Sequence, residues 1–88
     1  MSIIAIFTNS PFDPELRIDC NMLKMNTQKD GEICILPNYQ KSIFNIVDNV
    51  IEAINEAGTT KIKISGNAVI KFNNNILNCF GQFTKIEA

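Results

Sequence analysis

The chain contains no histidine, which removes the side chain that most often moves protons near neutral pH. Three cysteines, scattered carboxylates and a single tyrosine remain to do chemistry. Cys20, Cys34 and Cys79 are widely spaced and form no CxxC pair, so neither a zinc ribbon nor a redox motif is offered. Buried, reduced thiols are the simplest expectation for them. Asp13, Glu15 and Asp19 are the nearest thing to an acid cluster, but on a strand Glu15 and Asp19 would be solvent-face charges. There is no nucleophile elbow and no glycine-rich phosphate loop. The residue types therefore offer no catalytic site, no metal site and no cofactor site, and the chemistry left to consider is recognition.

The stretch best suited to recognition is GEICILPNY at 31–39. Asp30-Gly31 is a turn signal, because glycine accepts the positive φ of tight hairpins. Glu32, Ile33, Cys34 and Ile35 alternate polar and apolar, which predicts a short strand with one buried face. Pro37 cannot donate to a ladder and holds Leu36 extended. The strand thus leaves into a stiff loop, Leu36, Pro37, Asn38 and Tyr39, with an aromatic at its end. An aromatic on a rigid loop is a candidate docking point. The alternative is that Pro37 merely ends a strand and Tyr39 folds back onto the core.

Elements that would position this loop are read from patterning. With 88 residues the chain is one domain, 1–88, and it buries about two-thirds of its unfolded surface. A hydrophobic content of 45% argues against disorder. No apolar run approaches the ~20 residues that span a bilayer, and MSIIAIFTNS lacks the basic region of a signal peptide. A net charge of −1 with scattered Lys and Arg makes no stripe for phosphates, so nucleic acid is not the expected partner.

A strand is predicted at 3–7, ended by Asn9-Ser10-Pro11. A second covers 16–25. Leu16, Ile18, Cys20 and Met22 share one face, whereas Leu23 and Met25 take the other parity, which places a bulge or twist near Asn21-Met22. Residues 27–31 form a hairpin loop. Segment 42–58 is ambiguous: Ile43, Ile46, Val47, Val50, Ile51 and Ile54 fall at helical spacing, with Gly58 at the C-cap position. Equally, Asp48-Asn49 could turn a hairpin between two short strands. Beyond it, Ile62 and Ile64 face inward from an alternating strand, and Ser65-Gly66-Asn67 turns or kinks the chain. Ala68, Ile70 and Phe72 alternate in turn, and Asn73-Asn74-Asn75 is a tight turn. The last strand, 76–83, is apolar on both parities and is predicted to be central. Strands at this spacing mean an all-β sandwich or small barrel.

The order of these motifs resembles a known family. Gly31-Glu32-Ile33-Cys34-Ile35-Leu36-Pro37-Asn38, followed about thirty residues later by the strand IKISGNAVIKF at 62–72, an Asn-rich turn and a last apolar strand, is similar to the N-terminal β-sandwich of the epsilon subunit of F-type ATP synthase (delta in mitochondria). The resemblance covers essentially the whole chain. It departs where the family has His-Ala-Pro and this chain has Tyr39-Gln40-Lys41, and where Asn67 replaces a second glycine.

The resemblance implies a two-layer antiparallel β-sandwich of about ten short strands, with 42–55 as two strands joined by a turn. The family's C-terminal helical hairpin would begin where this chain ends, so it is expected to be absent. The implied function is that of a non-catalytic rotor part of the central stalk. It fastens the gamma subunit to the membrane c-ring, so that ion-driven ring rotation reaches ATP synthesis. By motif match, Glu32, Leu36, Pro37, Asn38 and Tyr39 fall at the c-ring contact, toward the ring's polar loops. Ser42 and Phe44 are the guess for the gamma contact. Tyr39 in place of His implies a ring contact less sensitive to pH near neutrality. The expected location is peripheral, on the cytoplasmic side of a bacterial inner membrane. The alternative reading is a free-standing β-sandwich module for a peptide or small ligand.

Overall fold

A computed structural model of the chain describes residues 2–27 and 29–86. Gln28, inside the expected 27–31 loop, and the chain end at Ala88, where the family's helical hairpin would begin, lie outside the described residues. The described residues form seven strands and no helix, so none is long and apolar enough to cross a membrane as a helix. The strands are β1 (Ile3–Thr8), β2 (Leu16–Cys20), β3 (Met22–Thr27), β4 (Gly31–Ile35), β5 (Ser42–Asn55), β6 (Gly58–Asn73) and β7 (Ile76–Ile86). They make one sheet in the order β2-β1-β7-β6-β5-β3-β4. All pairings are antiparallel except β1 with β7, which is parallel, with Ile4 opposite Ile76 and Phe7 opposite Cys79.

The long strands cannot lie flat. The sixteen residues of β6 would extend about 53 Å at ~3.3 Å per residue, yet the molecule's longest extent is 30 Å. The register slips between Val47 and Asn49 in β5 and between Ser65 and Val69 in β6. Asp48 takes φ 44° there, and its Oδ1 accepts the Gly66 N–H at 2.7 Å. In β7 the same corner falls near Gly81, which lies against Ala68 and Asn67 of β6. The bends fold one sheet into two layers. The first halves of β5 and β7 and the second half of β6 join β1 and β2; the remaining halves join β3 and β4.

In place of about ten short strands there are seven, of which β5, β6 and β7 are long and bent. The 42–55 region is one strand with a bulge at Asp48, neither a helix nor a two-strand hairpin, and the sheet is mixed rather than wholly antiparallel. The layers close on a second corner. β2 runs into β3 through Asn21 alone, where the predicted change of phase occurs. Asn21 N–H donates to Ile54 O at 2.8 Å and Asn55 Nδ2 donates to Asp19 O at 3.0 Å, so this chain path pairs with β1 and then with β5.

Between the layers sits an apolar core that includes Phe7, Leu23, Ile35, Ile46, Ile51, Ile62, Ile70, Phe72 and Leu77. Phe7 and Phe83 meet across it with ring centroids 5.9 Å apart. Cys20 and Cys79 are buried, as expected, but Cys34 is exposed, because its parity in β4 faces outward with Glu32. The final strand is internal in the sheet order, yet Ile76 and Phe80 are exposed rather than covered.

Two outcomes follow from this packing. A Cβ at residue 81 would meet Ala68 Cβ at 2.7 Å, so Gly81→Ala is expected to lower the urea midpoint by an amount equivalent to about 1–3 kcal/mol. Ala68→Gly in the same chain is expected to restore part of it. Burial pushes the Cys79 thiol from 9.0 up to about 12. Burial, with the charge of Asp19 second, pushes Cys20 up to about 11. The unfolded chain ionises these thiols first, so their contribution to stability is complete below pH 9 and is lost as pH rises from there through 11 to 12. Urea unfolding followed against pH should fall in that window, less so in Cys79→Ala, while a thiol reagent at neutral pH labels Cys34 alone.

Candidate partner-binding site

The stiff loop after β4 is built by local rules. Pro37 and Asn38 are the central residues of a turn closed by Tyr39 N–H donating to Leu36 O at 3.1 Å. Asn38 has φ 70°, so proline first and a left-handed asparagine second make a type II turn. Its neighbour is the β6–β7 hairpin turn, where Asn74 and Asn75 take φ 51° and 61°, the two positive values of a type I′ turn. The turns are tied together. Asn38 N–H donates to Asn75 Oδ1 at 2.6 Å and Asn75 Nδ2 donates to Asn38 Oδ1 at 3.3 Å. The Asn75 carbonyl also accepts Ile4 N–H at 3.0 Å, which links the loop to the first strand.

The five residues matched to the ring contact do not make one patch. Tyr39 is half-buried, with its ring edge-on to Phe72 at 6.0 Å, so it folds back and anchors the loop, the alternative the residues had left open. Leu36, at 52% exposure, and Asn38 are what the turn presents; Pro37 is half-buried between them. Glu32 is exposed but lies at the hairpin end of β4, beside Lys24 and Glu52. Four residue steps of strand, about 13 Å, separate it from Leu36. Of the gamma-contact guesses, Ser42 donates its hydroxyl to Gln40 O at 3.0 Å, and Phe44 packs half-buried against the core. Glu15, just before β2, is bound by Arg17 at 2.6 Å, and Arg17 and Asp19 are exposed on β2. Among the described residues no group of three or more His, Cys, Asp and Glu is placed to hold a metal ion.

Sequence reasoning missed two features. One is Asn75, whose pairing with Asn38 crosses 37 positions and leaves no local signal. The other is an exposed apolar set on the outer face: Ile43, Val69, Ile76 and Phe80, with Lys71 Nζ 5.8 Å from the Phe80 ring centre. Its signal was visible as apolar residues on both parities of the last strand.

The architecture defined here is an all-β chain folded from one bent sheet, with a polar-stitched turn at one end. It shares that fold with a chain in the cryo-EM structure of Euglena gracilis mitochondrial ATP synthase, OSCP/F1/c-ring in rotational state 1, at a TM-score of 0.80 and 15% identity. The match covers 96% of this chain and 53% of that one, so this chain spans about half its length. No family model matches the sequence, and no curated protein does.

Asn75→Gly keeps the positive φ and removes both side-chain bonds, so it isolates the tie. It should cost about 1 kcal/mol, and amide exchange at Tyr39 should accelerate while exchange at Ile46 and Ile62 keeps pace with global stability.

Proposed function

We propose that the chain is a non-catalytic rotor subunit of an F-type ATP synthase, a central-stalk part that fastens the gamma subunit to the c-ring. The observation that supports this best is the near-complete overlay on a chain of an ATP synthase structure. The order of the GEICILPN and IKISGNAVIKF motifs, which resembles that of the epsilon-subunit sandwich, supports the same reading.

The role asks for stiffness rather than catalysis. A rotor part transmits torque only if its own body does not shear, and close-packed cores resist shear. Here both layers belong to one hydrogen-bonded sheet, so sliding one over the other means breaking the ladders at the corners. The turn at Leu36, Pro37 and Asn38 is the part offered to the ring loops, with Tyr39 as its anchor. Glu32 makes a separate, orienting contact worth ~0–1 kcal/mol if it remains exposed. Association with the membrane is peripheral and runs through the complex. The cleft beside β5, of about 510 Å³, lies within the size range of small-molecule sites and keeps a free-standing binding module as the competing reading.

Affinity purification of the tagged chain from its own cells discriminates the two. Recovery of the gamma subunit together with the other F1 subunits is the expected result. A chain that emerges alone, or with a small molecule and no F1 subunit, would contradict the rotor assignment.

A further inference from the structure

We infer that the free edge of β5 between Ser42 and Val47 is a strand-addition site for an extended segment of a partner polypeptide. The inference rests on the rotor reading, which makes that partner the gamma subunit. β5 is paired to β6 on both sides of the break at Asp48. On its other side β3 covers only Glu52, Ala53 and Ile54, and the Asn49 side chain carries the pairing one step further by bonding Asn26 through its main-chain N–H and C=O. Beyond Asn49 the β3–β4 hairpin splays away. Among the described residues no strand pairs the edge at 42–47. Six residues, about 20 Å of strand, thus leave alternate N–H and C=O groups facing outward, the arrangement that accepts an added strand.

The surroundings specify what that strand carries. The hairpin and the edge enclose the cleft of about 510 Å³, lined by Ile33, Tyr39 and Phe44, half-buried against the core, and on the hairpin side by Thr27, Lys29 and Asp30. Side chains of an added strand that point inward meet Ile33, Tyr39 and Phe44, with Lys29 and Asp30 across the cleft. Side chains at the other parity point outward beside Ile43, 66% exposed, where Lys41 and Lys71 line the adjoining surface and no carboxylate does. The complementary occupant is an alternating strand, apolar inward and acidic outward, continuous with this layer of the sheet. A small ligand would leave the outward main-chain groups of 42–47 unpaired. Natural sheets guard such edges with prolines, short strands or inward charges, and none of these interrupts 42–47.

Hydrogen–deuterium exchange on the full chain, alone and mixed with the gamma subunit of its own ATP synthase, tests this. Edge-facing amides within 42–47 are expected to slow by at least about tenfold in the complex, with little change at Arg17 or Asp19 on the opposite edge. A complex in which 42–47 exchanges as in the free chain overturns the inference and leaves the rotor reading standing. No complex at all overturns both. Slowing that appears in the isolated chain as its concentration rises assigns the edge to a second copy and also overturns it.

Discussion

The structure depends on a corner that three strands turn together. A strand of fourteen or sixteen residues is longer than the molecule itself, so β5 and β6 must bend or protrude. The bend is fixed where Asp48 enters the left-handed region and accepts the Gly66 N–H. A carboxylate bonding a main-chain N–H across a bulge secures both strands at the one place where their ladder is interrupted. Gly81 completes the corner by leaving out the side chain that would collide with Ala68. Once the corner is set, the inward faces of all seven strands meet, and the apolar core follows from parity alone.

The corner also explains why the 42–58 segment read ambiguously. Before Asp48 the buried residue is Ile46, at an even position; after it Ile51 and Ala53 are buried, at odd positions. Switching parity within one strand puts apolar residues three and four apart, which imitates a helix. In β6 the slip consumes two extra residues relative to β7, so Ile62, Ile64, Ala68, Ile70 and Phe72 keep one parity, and there simple alternation read correctly. Asp48-Asn49 and Ser65-Gly66-Asn67 were recognisable as breaks. Whether a break reverses the chain or bends it depends on which strand lies opposite, and that is not a local property. The parallel pairing of β1 with β7 is hidden for the same reason.

The candidate site was legible to a similar depth. Pro37 and Asn38 announce a type II turn, and the turn is there. Its stitching to Asn75 is not readable, because asparagine in a hairpin turn is accounted for by its φ preference alone. The motif match grouped Glu32 with the turn, whereas β4 holds them at its two ends. The free edge of β5 was invisible because it is defined by where β3 stops.

The joined geometry leaves a stitched turn and a separate acid at the two ends of β4, and an open sheet edge with a basic flank. Under the proposed rotor reading, these are the contacts of a part clamped between two partners. A cryo-EM reconstruction of the intact ATP synthase from this chain's own source tests that claim most directly. The account predicts this bent sheet at the foot of the central shaft, with Leu36 and Asn38 turned toward the membrane ring. Density for it elsewhere in the complex, or a complete shaft and ring without it, would contradict the account.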